Sequence, residues 1–273
     1  MVSCALASAG MSAFADPLGP DAGPLADKPS PDSWRYLIGA GLGVGPTYLG
    51  ASSTELKFTP YWAIESGRLR LSSGRGNALL AFGRDVGGPG ASALLVDRPR
   101  FSLSASLRID SGRSAGDDPA LIGLPEVRRT LRLRLAAGYE VAPRWVVGTA
   151  ISQDVLGRDG GGQFSAWTSV QQHLSPRTQV GVTLGVNGGD ARFMRSWFGV
   201  PVGSPSGLAA WSPGAGAYQT VLAFDLTRAL SPHWLLVGHA QWSRLEGEAR
   251  RSPVTQRPDA AQASIGLVYR NRP

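Results

Sequence analysis

From Trp34 onward the chain alternates apolar and more polar positions with a period of two, most cleanly in its last quarter. Tyr218, Thr220, Leu222, Phe224 and Leu226 share one parity, against Gln219, Val221, Ala223 and Asp225. After Ser231-Pro232-His233, a second run sets Trp234, Leu236, Gly238, Ala240 and Trp242 opposite His233, Leu235, Val237, His239, Gln241 and Ser243. A third sets Ala261, Ala263, Ile265, Leu267 and Tyr269 against Gln262, Ser264, Gly266 and Val268. Side chains of a strand point alternately to its two faces, so these runs predict strands with one apolar and one more polar side. Each covers roughly ten residues, long for a soluble sheet and suited to a tilted strand that crosses a bilayer.

The first half repeats the pattern less evenly. Tyr36, Ile38, Ala40, Leu42 and Val44 oppose Leu37, Gly39, Gly41 and Gly43. These glycines are not read as a phosphate loop, because no helical pattern follows to present an N-terminus to the phosphate. Thr54 to Glu65 carries Leu56, Phe58, Trp62 and Ile64 outward with Pro60 in the same register, which predicts a bulge or local defect. Arg68 to Ser72 and Asn77 to Arg84 read as a short hairpin around Gly74-Arg75-Gly76. Phe101, Leu103, Ala105, Leu107 and Ile109 alternate with Ser102, Ser104, Ser106 and Arg108. Leu131, Leu133, Leu135, Ala137 and Tyr139 face away from Arg132, Arg134 and Glu140.

Ala142-Pro143-Arg144, Ser175-Pro176-Arg177 and Ser231-Pro232-His233 join successive runs by short turns. Longer polar or glycine-rich connections lie between them, at Asp154 to Gly162, Asn187 to Gly216 and Leu245 to Asp259, with another at Ser111 to Arg128. Short turns alternating with long loops predict an all-β, closed antiparallel transmembrane β-barrel spanning 34–273. A chain that starts and finishes at the same end has an even number of strands, about twelve, with ten as the alternative.

Aromatic placement adds depth to that picture. Trp234 and Trp242 sit eight positions apart on one face, roughly 20 Å along the membrane normal for a tilted strand, close to the apolar height of such a barrel. With Tyr218 and Tyr269, each on the apolar parity of its own run, they are the expected aromatic girdles. Two core tryptophans of a soluble β-sandwich are the alternative reading of this strand.

Composition changes the picture in three ways. No run of 18 apolar residues occurs, so a transmembrane helix is not expected, and the mean hydropathy of −0.06 is what alternating lipid-facing and lumen-facing positions average to. Cys4 is the only cysteine, which excludes an intramolecular disulfide. Residues 1–15 form a small-residue apolar run closing with Ala13-Phe14-Ala15, read as a truncated signal peptide, and 16–33 read as a flexible lead-in rich in Pro, Gly, Ala and Asp. The net charge of +7 comes almost wholly from arginine scattered over loops and strand ends. That distribution argues against nucleic acid and toward lipopolysaccharide phosphates, outer-membrane lipid or an anionic cell-wall polymer.

Candidate chemistry is sparse. His173 and His233 fall beside separate short turns, and His239 shares the parity of His233 six positions on; no Cys, Asp or Glu completes a metal site. Ser252, Asp225 and Glu140 are the residues weighed for hydrolysis, but no Gly-x-Ser-x-Gly elbow is present and no triad is grouped. No catalytic residue, metal or cofactor is expected. Arg68, Arg70, Arg108, Arg132 and Arg134 share the predicted inward parity, opposed by Asp110 and Glu140. They either fill the lumen as a charge network or line a narrow path for small anionic solutes.

Several segments resemble the MipA/OmpV family. They are Pro46-Thr47-Tyr48-Leu49-Gly50, Trp197-Phe198-Gly199-Val200, Pro213-Gly214-Ala215-Gly216 and His233-Trp234. Arg244-Leu245-Glu246-Gly247-Glu248-Ala249-Arg250-Arg251-Ser252-Pro253-Val254 follows in the same order as in the family. The resemblance implies an outer-membrane protein of a Gram-negative bacterium and no catalytic activity. It implies a scaffold linking a lytic transglycosylase to a peptidoglycan synthase, other members being associated with osmotic response, adhesion or antibiotic uptake. Tyr269 is followed by Arg270-Asn271-Arg272-Pro273, where barrel proteins usually finish on an aromatic residue.

Overall fold

A computed structural model describes residues 34–73 and 89–271. The expected leader (1–15), lead-in (16–33) and Asn77–Arg84 lie outside the described residues. Twelve antiparallel strands close into one barrel, each paired with its sequence neighbour and the last with the first. They are β1 (Arg35–Pro46), β2 (Thr54–Ser66), β3 (Leu69–Ser72), β4 (Gly90–Arg98), β5 (Phe101–Asp110), β6 (Thr130–Ala142), β7 (Trp145–Asp154), β8 (Gly162–Ser175), β9 (Thr178–Gly189), β10 (Gly216–Ala229), β11 (Trp234–Leu245) and β12 (Asp259–Arg270). Among the described residues no helix is long and apolar enough to cross a membrane.

The faces divide as the alternation dictates. Leu56 (74 % exposed), Phe58 (69 %), Ile38, Ile151, Leu184 and Ile265 stand on the outside. An unbroken apolar belt of this kind is not left in water by a soluble monomer, and in a bilayer it faces lipid tails. Inside, small residues make room for aromatic rings: the Trp167 indole lies against Gly148, where an added Cβ would sit 2.0 Å from a ring carbon. Tyr61 similarly covers Gly41 and Gly266. These rings anchor two apolar clusters on the inner wall, one of Ala136, Val146, Ala150 and Trp167, the other joining Leu37, Tyr61 and Ala63 to Ala229, Leu235, Val237 and Val268.

Two local expectations are corrected. The neighbour of β3 is β4, with Leu69 opposite Ala93, rather than a strand at 77–84. Pro60 makes no bulge: the β1–β2 register runs unbroken through Ala40 and Pro60. Among the described residues the ladder from β2 to β3 ends with Ala63 opposite Ser72, short of Pro60.

The seam is stitched beyond the last strand pair. Asn271 Oδ1 accepts from Tyr36 N at 2.8 Å, its Nδ2 donates to Trp34 O at 3.1 Å, and Arg270 Nε donates to Pro232 O at 3.0 Å. Arg270 and Asn271 therefore extend the closure.

Candidate functional site

Among the described residues one end of the barrel carries short turns; the other carries the long connections, of which those after β1, β5, β9 and β11 pack together as a cap. Asp190 starts the cap by capping helix α1 (Ala191–Phe198), its Oδ1 accepting from Phe193 N at 2.7 Å while its Oδ2 accepts from Gly162 N at 2.7 Å. Such a carboxylate meets donors that the first helical turn leaves unpaired. Gly161, at φ +59°, passes so close beneath that a Cβ would lie 2.3 Å from Phe193 N.

Two apolar clusters fill the cap. Phe193, Met194 and Phe198 of α1 pack with Tyr218, Leu245 and Ala249, the Phe193 and Tyr218 rings 4.9 Å apart. Tyr48, Ala51, Leu121, Leu124, Val200 and Val254 form the second, drawn from the connections after β1, β5, β9 and β11. Polar ties hold these loops together. Tyr48 Oη donates to Val254 O at 3.1 Å, and Ser252 Oγ to Phe198 O at 2.6 Å. Gly50 O accepts from Gln256 N and Arg257 N at 2.8 and 2.9 Å. Asp118 accepts from Ser53 Oγ, from Thr47 Oγ1 at 2.8 Å and from Ala120 N at 2.8 Å. These bonds, Ser53 first, hold its carboxyl below the usual range against the opposing effect of burial. Burial raises the Tyr48 phenol, with Asp118 adding to the rise, and lowers the Arg113 guanidinium, which donates to Ser196 O at 3.4 Å.

The family-type segments thus meet in space. Tyr48, Gly50, Phe198, Val200, Leu245 and Ser252 come from three distant stretches and lie in or against the cap. Gly199 ends α1, Gly247 (φ +53°) opens the short helix α2 (Gly247–Arg251), and Pro253 links Ser252 to Val254. Arg244 pairs across with Thr220 and Asp259 at the end of β11, and Trp234 stands at the opposite rim.

Beneath the cap runs a charged wall. Arg132 Nε donates to Asp110 Oδ2 at 2.6 Å, its terminal nitrogens to Gly160 O and Gly161 O, and its guanidinium lies 5.6 Å from the Phe193 ring centre. Arg134 donates to Ser165 Oγ at 3.1 Å and Arg108 to Ser72 Oγ at 3.2 Å. At the opposite, short-turn end of the lumen Arg70 and Arg35 share Glu65, a partner that the alternation alone does not single out. Farther along the lumen Asp225 Oδ1 lies 2.8 Å from His239 Nδ1, with the Asp225 side chain half exposed.

Three expected sites sit elsewhere. Tyr218 is not a girdle residue: the register slips between Ala217 and Gln219, so Tyr218 turns inward beside Gln219 and is 6 % exposed. Arg68 is exposed in the Gly67-Arg68 turn, outside the lumen, because the strand starts only at Leu69. Glu140 is remote from Arg108, Arg132 and Arg134, near the short-turn end, and accepts from Arg144 N at 3.1 Å. Trp234 meets Tyr269 edge-on at 5.5 Å and Tyr269 meets Tyr36 at 6.5 Å on the short-turn rim, while Trp242 faces outward toward the other. Trp145, also exposed, joins the short-turn girdle by donating to Thr168 Oγ1 at 2.6 Å.

Ser252 is consumed by the cap, and Asp225 pairs with His239 on the lumen wall, so the residues weighed for hydrolysis occupy separate places. Among the described residues no group of three His, Cys, Asp or Glu side chains is placed to hold a metal.

A family model described as MltA-interacting protein MipA matches residues 38–271. No curated protein matches the chain. Among solved structures, a porin aligns at 11 % identity over 87 % of this chain and 100 % of its own, with a TM-score of 0.37. The outer-membrane OmpT of Vibrio cholerae aligns at 6 % identity over 87 % and 97 %, TM-score 0.40. The KdgM porin aligns at 8 % over 85 % and 98 %, TM-score 0.39.

Proposed function

We propose, for a chain that belongs to the MipA family and forms an outer-membrane β-barrel, the role of a non-catalytic scaffold for peptidoglycan-remodelling enzymes in a Gram-negative bacterium. The family description names an interaction with MltA, a lytic transglycosylase, and a peptidoglycan synthase is the second partner of this reading. One observation carries scaffold over channel: two apolar clusters built from four connections occupy the long-loop mouth. Twelve strands enclose more space than the eight that side chains alone fill, and here loop residues take up the difference at that end. The short-turn end faces the periplasm in this reading, and its turns at Pro143, Pro176 and Pro232, with the lead-in, form the docking rim.

The second reading is a narrow pore for small anionic or polar solutes, favoured by the half-exposed Asp225 on the lumen wall. The pairing of Arg70 with Glu65 and of Arg132 with Asp110 fits bracing better than transit. Affinity capture with the detergent-solubilised full chain tests the scaffold. Recovery of a lytic transglycosylase together with a synthase is expected; recovery of neither removes this reading. Stepwise conductance in planar bilayers that falls on neutralising Arg132 and Arg134 would put the pore in its place.

A further inference from the structure

Five connections at the short-turn end, from the β2–β3 turn round to the β10–β11 turn, share a feature. They are Gly67-Arg68, Pro99-Arg100, Pro143-Arg144, Pro176-Arg177 and Leu230-Ser231-Pro232-His233. The last residue of every one is basic. Arg68, Arg100, Arg144 and Arg177 are exposed. Arg144 holds φ at 66°, a conformation that a glycine or asparagine adopts with less strain, so the position carries a cation where backbone geometry alone favours another residue.

The residue directly after each base opens the next strand. It is Leu69, Phe101, Trp145, Thr178 and Trp234 in turn, and the four large ones are exposed on the outer wall. Each of the four arginines thus stands one residue, about 3.3 Å, beyond the rim of the apolar belt, and His233 holds the corresponding position in the fifth turn. Aromatic girdles mark the headgroup level of a bilayer, so the bases lie at the depth of lipid phosphates. One turn recurs every two strands, which spaces the cations about 10 Å apart or more around the wall. Carboxylates do little to offset them. Glu65 turns inward to Arg35 and Arg70, Glu140 accepts from the backbone of Arg144, and Asp97 remains beside Pro99. The long-loop end differs, for Glu55, Asp117, Glu126, Asp159, Glu246 and Glu248 mingle there with its bases.

We infer that this ring binds the phosphates of anionic phospholipids in the leaflet at the short-turn end, fixing the depth and tilt of the barrel. The inference rests on the barrel's place in a membrane and not on the scaffold role. The bases adjoin outward-facing apolar side chains at the edge of the bilayer, within reach of lipid phosphates, and the ring leaves the axial side of the turns to a docked partner.

The full chain, reconstituted in mixed phosphatidylcholine–phosphatidylglycerol bilayers, tests it by quenching of tryptophan fluorescence with brominated forms of each lipid. Preference for phosphatidylglycerol is expected on the order of fivefold, the factor one arginine contributes beside an anionic surface. It should fall to parity in the R68Q/R100Q/R144Q/R177Q variant and persist in R250Q/R251Q at the other end. Heat-modifiable gel mobility verifies the barrel in each; if the fourfold variant does not fold, R144G and R177Q singly must each lower the preference. Equal affinity in the native chain, or a preference indifferent to these substitutions, overturns the inference. Loss of transglycosylase capture with lipid preference intact also overturns it, and assigns the ring to a protein partner.

Discussion

Ser252 donates its hydroxyl to the carbonyl of Phe198 across 2.6 Å, and both groups are buried. The bond fastens the connection after β11 to the end of α1, joining two family-type segments 54 positions apart. Ser252→Ala leaves that carbonyl unmet, a loss of roughly 1–3 kcal/mol confined to the cap. Hydrogen exchange should accelerate across 190–215 and 246–258 while the strands keep their protection. Unchanged exchange there would mean the bond holds nothing.

The apolar packing at the long-loop mouth centres on Phe193 and Phe198, both almost fully buried. Replacing both by alanine removes rings worth about 3–5 kcal/mol each in a packed core and strips Arg132 of its aromatic neighbour. Single-channel recording should change from a quiet barrel to a conducting one, with folded gel mobility retained. A variant as silent as the native chain would place the seal elsewhere.

Asp110 and Arg132 form a largely buried pair. Asp110→Asn leaves the guanidinium without its counter-charge and should destabilise the barrel by about 3–5 kcal/mol, whereas Asp110→Asn with Arg132→Met should recover most of it. Unfolding in urea of the reconstituted protein measures both. Equal losses in the single and double variants would refute the pairing as a unit.

Gly148 tolerates no side chain while Trp167 keeps its place. Gly148→Val forces the indole off the wall, costing about 1–3 kcal/mol by overpacking. The expected readings are a lower temperature for loss of heat-modifiable mobility and an altered tryptophan emission. Native values for both would show that the wall yields freely.

Acid should loosen the cap before the barrel. The Asp118 carboxyl has a lowered pKa in the folded state, so its contribution is complete above the unfolded value and disappears as pH falls through the folded one. The protection of 47–53, measured relative to the intrinsic exchange rate at each pH, should fall as the pH drops below the ordinary carboxylate range, and Asp118→Asn should abolish that dependence. A dependence that survives in the variant points to another carboxylate.

Strand parity was legible because lipid on one side and lumen on the other impose opposite demands on adjacent residues, as at Leu133 and Arg134. Tyr218 escaped that logic because one extra residue between Ala217 and Gln219 reverses orientation without altering composition. β4 hides for a similar reason: Ala93-Leu94-Leu95-Val96 is a continuous apolar run, and the register shifts within it. Arg68 shared the right parity but falls one residue short of the strand. The cap was invisible as a structure, since its cores unite Tyr48, Leu121, Val200 and Val254 across four connections and no local period encodes such a meeting. The family-type motifs were the one signal that pointed there.

The stitching of Asn271 to Trp34 and Tyr36, over 237 and 235 positions, has a consequence for biogenesis. Until β12 arrives, β1 presents a bare row of amides and carbonyls that no lipid tail can satisfy. An intermediate lacking its final hairpin is thus a sticky sheet, prone to pair with any other exposed strand. Membrane insertion and closure of the cylinder are therefore expected to be nearly simultaneous events.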